Sequence, residues 1–251
     1  MNQQSVGVQT PKLKPVSELF KEAWAQYSKH FNELVSIMLI SGIGLYLQTI
    51  FLFTVKNSYH MNSSQTLLAL LATIIYIVGL IWGLTAIFNR ATKLDQPMSV
   101  KQAFLSAKPF IAPMLLVGLI TGVLTMIGFV LLVIPGIIVA VWLSFSYFIV
   151  IEENKRGTDA LKASKAYVEG YWWPVFGRLL LIGVVIGLFS GIIGTIGSSI
   201  LGYRLGMLVQ DIISLGLIPF AVLYQYDLYK NIKSVKSGVV SADSNPVPLA
   251  Q

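Results

Sequence analysis

Residues 131–141 read LLVIPGIIVAV, in the middle of a stretch from Phe110 to Ile151 that contains no charged side chain. A helix of these 42 residues would extend for roughly 63 Å, at about 1.5 Å per residue. The hydrocarbon core of a bilayer is about 30 Å thick, so the stretch has the length of two membrane crossings. Proline interrupts helical hydrogen bonding, and glycine tolerates the backbone of a tight turn. We therefore predict a hairpin of two membrane helices that turns at Pro135 and Gly136.

The composition of the whole chain is that of a polytopic membrane protein. Hydrophobic residues make up 55% of the 251 residues and charged residues only 12%, about half the share usual in soluble domains. The absence of cysteine excludes disulfides and thiolate metal sites. The first 30 residues lack the apolar segment and cleavage site of a signal peptide, so the first membrane span is expected to target the protein. We attribute the net charge of +7 to residues that flank spans and meet anionic lipid, and not to nucleic-acid binding.

Six apolar windows predict an all-α fold with six transmembrane helices in a single membrane domain, residues 1–236. The fourth window is short and is expected to use Glu152 and Glu153 at the membrane interface. Residues 237–251, which are rich in Ser and Pro, are expected to form a disordered cytoplasmic tail. The six windows are residues 34–55, 67–88, 111–134, 136–151, 179–203 and 205–226.

The positive charges predict the orientation of these spans. Sixteen of the eighteen lysines and arginines fall before span 1, between spans 2 and 3, between spans 4 and 5, or after span 6. Only Lys56 and Arg204 fall on the other side. Because cytoplasmic loops carry an excess of Lys and Arg, both termini are predicted to be cytoplasmic.

Three cytoplasmic segments predict a threefold repeat of an interfacial amphipathic helix followed by a helical hairpin. The segments are residues 17–31, 99–108 and 158–173, and each precedes a pair of spans. In the first, Phe20, Ala23, Trp24, Tyr27 and Phe31 share one helical face, as expected of a helix at the lipid headgroups. For the helix starts, we predict N-caps at Ser17 and Thr158 and a capping box of Ser99 with Gln102.

Five short elements follow one another along the second half of the chain. They are Ile134-Pro135-Gly136, Glu152, the segment Ala160-Leu161-Lys162-Ala163-Ser164, the aromatic run Tyr171-Trp172-Trp173, and the segment from Tyr224 to Leu228 that contains Tyr226 and Asp227. In this order the chain resembles the uncharacterised YciC-like bacterial inner-membrane proteins, and it is similar to the membrane domain attached to some glycerophosphodiester phosphodiesterases. The resemblance implies a multi-pass protein of the bacterial plasma membrane with no agreed activity. The phosphodiesterase domain itself is absent from the sequence, so no enzymatic function is carried over.

Asp211 is the one acidic residue well inside a predicted span. A carboxylate in the membrane is costly and normally faces a partner or a cavity. Gln210 and Arg204 are close enough along the helix to pair with it. Two interpretations stay open: a structural role near the outer end of span 6, or an ion or solute pathway.

Two further patterns concern helix packing and the membrane interface. In span 5, Gly183, Gly187, Gly191 and Gly194 form one helical stripe, which favours close intramolecular packing, with self-association into a homo-oligomer as the alternative.

Glu152, Glu153 and Asp227 lie beside basic residues, so we predict salt bridges between segments. His30 and His60 fall on opposite sides of the predicted membrane and therefore cannot share a metal ion.

These observations leave two main hypotheses for function. The first is a non-enzymatic integral protein of the plasma membrane, with membrane lipids as its partners and a role in envelope or lipid organisation. The alternative is a small-solute or lipid transporter with a polar path near Asp211. An embedded hydrolase comes third. We expect no catalytic residue, no cofactor and no metal, because the sequence contains no phosphate loop, serine triad or metal-ligand cluster.

Overall fold

The computed structural model describes residues 13–54 and 62–238, and these form ten α-helices and no β-strand. Lys12, Lys56, His60 and residues 239–251 of the predicted tail lie outside the described residues. The helices are α1 (Val16–Lys29), α2 (Phe31–Ser41), α3 (Ile43–Thr54), α4 (Ser63–Ala91), α5 (Val100–Leu131), α6 (Val133–Trp142), α7 (Ser146–Glu152), α8 (Gly157–Val168), α9 (Trp172–Leu201) and α10 (Tyr203–Lys236).

Within the described residues, five helical segments are long and apolar enough to cross a membrane. A sixth is added if α2 and α3, which meet at a 50° bend, form one broken span. One of the five consists of α6 and α7 together, Val133–Glu152, with a break at residues 143–145. The prediction of an all-α polytopic membrane protein is therefore confirmed, and two of the predicted spans are interrupted.

The buried core lies towards one end of the helices. In α4 the buried residues are Ala72, Gly83 and the run from Thr85 to Ala91, so the helix is packed mainly in its last three turns. The other half of α4 points apolar side chains such as Leu68 and Ile74 outward, with more than half of each side chain exposed. We call the packed end the charged end, since it contains Glu33, Arg90, Glu152, Glu153, Asp227 and Lys233.

The turn of the predicted hairpin is at Leu132 and not at Pro135 and Gly136. Leu132 has an extended backbone (φ −166°, ψ 152°), with α5 before it and α6 after it. Pro135 is the third residue of α6, where an amide would have no helical acceptor, so a residue without an N–H is well placed. Gly128 and Gly136 allow the two helices to approach closely, because a Cβ on Gly128 would lie 2.8 Å from the Gly136 Cα and one on Gly136 would lie 2.5 Å from the Phe129 ring.

The three interfacial helices are not three equivalent elements. The first and third are separate helices, α1 and α8, but they end at Lys29 and Val168, earlier than predicted. Residues 100–108 are instead the start of α5, which continues through Pro109 and Pro113 without a break. The predicted repeat of a separate helix plus a hairpin is thus wrong for its second copy.

The predictions for helix starts have mixed outcomes. The capping box at the start of α5 is confirmed, since the Ser99 hydroxyl accepts from the Gln102 amide at 3.3 Å. Ser17 and Thr158 are not caps: the N-cap positions of α1 and α8 are Pro15 and Arg156, without a side-chain bond. A second capping box, of Asn62 with Gln65, begins α4.

The glycine stripe of α9 does not pack inside the protein. A Cβ placed on Gly183, Gly187 or Gly191 would meet no described atom within 4 Å, so the favoured prediction of intramolecular packing is wrong for these three. Gly194 alone lies against a neighbour, the Gln210 side chain of α10. Close packing occurs instead between α2–α3 and α4, where a Cβ on Gly44 would overlap the backbone of Tyr76 and one on Gly79 would lie 2.5 Å from the Ser41 carbonyl oxygen.

Alanine substitutions test this difference between the two sets of glycines. Gly44→Ala should lower the thermal midpoint of the purified protein, because overpacking against backbone costs about 1–3 kcal/mol. Gly187→Ala is the matched control and should leave the midpoint unchanged or slightly raise it, because alanine favours a helix more than glycine does. Tryptophan fluorescence during heating in detergent measures both. Equal losses of stability would mean that the α9 stripe is packed as closely as Gly44.

Candidate functional site

The charged end is organised around two consecutive carboxylates at the end of α7. Glu152 accepts a hydrogen bond from the Tyr226 hydroxyl at 2.5 Å and lies 3.3 Å from the Lys233 ammonium. Glu153 accepts from the hydroxyls of Tyr167 at 2.7 Å and Tyr229 at 2.9 Å. The tyrosines belong to α8 and α10, so these bonds join three helices.

The environment of Glu153 keeps it ionised. Burial alone would raise the pKa of its carboxyl, but hydrogen bonds from Lys155, Tyr167, Tyr229 and Lys233 outweigh burial and lower the pKa to about 2. Burial and the bond to Glu153 raise the pKa of Tyr167 to about 12. Near neutral pH the carboxylate is therefore an acceptor and the Tyr167 hydroxyl a donor, an arrangement suited to holding helices together and not to transferring protons.

Asp227 connects α10 with α1. Its side chain is 2% exposed and accepts from the Gln26 amide at 3.1 and 3.2 Å. Lys230, on the same helix, lies 2.9 Å away. The predicted salt bridges between segments are confirmed for Glu152 and Glu153, which both contact Lys233, whereas the partner of Asp227 from another segment is a neutral amide.

A buried ion pair between α2 and α4 was not predicted. Arg90 is 1% exposed, and its Nε and Nη2 donate to the two carboxylate oxygens of Glu33 at 2.5 and 3.1 Å. Its remaining nitrogen donates to the Lys93 carbonyl. Removing one partner of such a pair leaves an uncompensated buried charge, which is strongly destabilising. In the sequence Arg90 is one of the charges that flank spans, and nothing local indicates a partner 57 residues away.

Ser164 forms hydrogen bonds with the backbone at the break between α6 and α7. Its side chain is fully buried, and its hydroxyl donates to the Trp142 carbonyl at 2.7 Å and accepts from the Phe145 amide at 3.1 Å. The Gln225 amide of α10 donates to the Ser144 carbonyl at 2.7 Å. Ser164 of α8 and Tyr226 of α10 were both predicted as site residues. In the structure both form hydrogen bonds between helices, Ser164 with the backbone at the break and Tyr226 with Glu152.

The group predicted around Asp211 is not assembled. Asp211 accepts a hydrogen bond from the Thr49 hydroxyl at 3.1 Å, which links α10 to α3. Gln210 instead lies against Gly194 of α9. The Arg204 side chain is outside the described part of the structure. The observed contact favours the structural interpretation of Asp211.

The described residues contain no group of three His, Asp or Glu side chains that could hold a metal ion. Comparison of the chain with protein-family models, with curated proteins and with solved structures gave no match. The YciC-like resemblance therefore stays a prediction, and the function has to be argued from the contacts themselves.

Substitution of Ser164 tests its role at the break between α6 and α7. Ser164→Ala removes two hydrogen bonds and leaves a buried carbonyl and amide without partners, at a cost of about 1–3 kcal/mol. Ser144→Ala is the control, since among the described residues the Ser144 hydroxyl bonds only to the Val141 carbonyl of the preceding helix, at 2.9 Å. Heating in detergent should show a lower midpoint for Ser164→Ala than for Ser144→Ala. Indistinguishable midpoints would contradict the assigned role.

The low pKa of Glu153 predicts that the stability of the fold depends on pH in the acid range. Because its pKa in the folded protein is about 2, below the ordinary 4.5, its anion stabilises the fold at pH values above 4.5 and loses that contribution as the pH falls towards 2. The stability advantage of the wild type over Glu153→Gln should therefore shrink across this range. Other carboxylates are common to both proteins and cancel in the difference. A constant difference between the wild type and Glu153→Gln across this range would contradict the prediction.

Proposed function

We propose that this protein is a non-enzymatic integral membrane protein that binds anionic lipid headgroups at its charged end and organises the lipids around it. The supporting observation is a set of lysines placed over aromatic rings. Within the described residues, six ammonium groups lie 4.6–6.0 Å from a ring centroid. The pairs are Lys93–Phe110, Lys108–Trp82, Lys165–Trp142, Lys230–Tyr226, Lys233–Tyr229 and Lys236–Tyr171.

This combination of groups suits the boundary between water and lipid. Tryptophan and tyrosine rings prefer the headgroup level, and a lysine can lie along an apolar surface with its charge in water. Lys108 and Lys165 are exposed and form no ion pair with a described residue. Their charges are therefore free for a phosphate, whereas those of Lys230 and Lys233 are shared with acidic side chains.

We place the charged end on the cytoplasmic side of a bacterial plasma membrane, on the strength of the charge asymmetry of the sequence and the YciC-like resemblance. The inner leaflet carries anionic lipid that attracts basic residues at about 1 kcal/mol each. The transporter hypothesis, with a polar path near Asp211, is less well supported, because Asp211 bonds to Thr49 of α3 and the neighbouring Gln210 lies against Gly194 of α9.

Lipid selectivity of the reconstituted protein tests the proposal. The double variant Lys108→Gln/Lys165→Gln should lose preference for phosphatidylglycerol over phosphatidylcholine, by a factor of about five for each lysine if each contributes about 1 kcal/mol. The readout is quenching of tryptophan fluorescence by brominated phosphatidylglycerol, compared with quenching by brominated phosphatidylcholine. High salt should weaken the preference of the wild type.

The matched control is Lys101→Gln/Lys162→Gln. Both lysines are exposed and neither lies over a ring of the described residues, so this variant has the same net charge without the loss of a ring-paired cation. It should keep most of the selectivity. A wild type without selectivity, or equal losses in both double variants, would overturn the proposal.

A further inference from the structure

We propose that the α5–α6 hairpin does not cross the membrane. Its distal part, residues 119–138, which we call the apolar wedge, instead embeds in the acyl chains of the leaflet next to the charged end. This inference does not depend on the proposed binding of lipid headgroups. It rests on the reach of α6, on the neighbours of α6 and on the exposed apolar surface of the wedge.

The reach of α6 is too short for a crossing. The end of α6 is held by Ser164, which bonds to Trp142, and by Gln225, which bonds to Ser144. Gln225 lies where the apolar part of α10 ends, two residues before the ion-paired Asp227. From that boundary α6 extends for ten residues, or about 15 Å. The hydrocarbon core is about 30 Å thick, so the turn at Leu132 cannot reach the opposite face.

The neighbours of α6 place the wedge still closer to the charged end. The Trp172 indole donates to the Ile138 carbonyl at 3.4 Å, and Trp172 lies at the start of α9, six residues before Arg178. Ile134, two residues beyond the turn, shares a cleft of about 420 Å³ with Glu169 and Gly170. Glu169 is exposed, and its polar carboxyl group needs water or headgroups nearby. A cleft that contains both residues cannot extend across a bilayer.

The surface of the wedge requires a hydrocarbon environment. No polar side chain occurs from residue 126 to residue 141, and Val130, Leu131, Leu132 and Ile134 are 69–77% exposed. A contiguous apolar tip of this kind is not stable in water. Acyl chains cover such a tip without any polar partner.

Hydrogen bonds pair two of the backbone groups at the turn. An unpaired amide or carbonyl in hydrocarbon costs several kcal/mol, but the Leu132 amide donates to Gly128 at 3.0 Å, and the Leu132 carbonyl accepts from the Gly136 amide at 3.4 Å. Pro135 has no amide to satisfy. The Pro135-Gly136 pair thus contributes no unpaired donor, because Pro135 has no amide hydrogen and the Gly136 amide is bonded to Leu132.

Single cysteines test the position of the wedge, because the chain has no native cysteine. Leu132→Cys reports on the tip, Ser237→Cys on the charged end and Ser63→Cys, at the start of α4, on the opposite end. In sealed vesicles a membrane-impermeant maleimide should label the two serine positions from opposite sides. It should label Leu132→Cys from neither side and only after detergent is added. Labelling of Leu132→Cys from the Ser63 side would show a crossing, and labelling from the Ser237 side would place the tip in water; either result overturns the inference.

A second measurement identifies what covers the tip. A fluorophore on Leu132→Cys should be quenched by lipids that carry a spin label on the acyl chain and not by aqueous iodide. Disulfide cross-linking between two copies through Leu132→Cys would show that protein covers the tip and would overturn the assignment to lipid. Val130→Cys, whose parent side chain is 77% exposed, repeats the test if Leu132→Cys folds poorly. Neither readout depends on phosphatidylglycerol, so failure here is distinct from failure of the proposed function.

Discussion

The fold depends on satisfying backbone polar groups in an environment that offers no water. Each place where a membrane helix is interrupted leaves an amide or carbonyl that must find another partner. At the α6–α7 break, Ser164 and Gln225 supply the missing bonds. Elsewhere, the Tyr27 hydroxyl of α1 donates to the Gly216 carbonyl of α10 at 2.9 Å, three residues before Pro219. Helices α1 and α8 therefore donate hydrogen bonds to the backbones of α10 and α6.

The same constraint explains why the core is concentrated at the charged end. Lipid tails are as apolar as leucine side chains, so burial gives little drive for helices to associate within the hydrocarbon, and polar contacts and close packing decide where they meet. Glu153 and Asp227 bind side chains from helices distant in sequence, and Arg90 with Glu33 joins α2 to α4. The opposite ends of the long helices carry few such groups and expose leucine and isoleucine.

Hydropathy and charge predicted which segments form helices better than they predicted which residues of different helices are in contact. The long helices α4, α9 and α10 and the capping box at Ser99 follow from local sequence alone. The turn was misplaced by three residues because a proline suits the first turn of a helix as well as a reverse turn. A glycine stripe identifies a helical face but not its neighbour, so spacing alone could not distinguish Gly187 from Gly79, which repeats with Gly83 at the same interval. The pairs Arg90–Glu33 and Asp211–Thr49 join residues 57 and 162 positions apart, a relation that one sequence does not contain.

Trp142 takes part in both the proposed headgroup site and the α5–α6 hairpin. This residue ends α6, its ring lies 4.6 Å from the Lys165 ammonium, and it lines the same cleft as Ile134 and Glu169. In the proposed arrangement, a phospholipid with its phosphate at Lys165 would extend its acyl chains along α6 towards the tip of the apolar wedge. The ring-paired lysines would then attract anionic lipid to the leaflet that the wedge occupies, and the wedge would take up acyl volume in that leaflet alone. Headgroup binding and acyl displacement would thus act on one leaflet and would together change the composition and packing of the membrane around the protein.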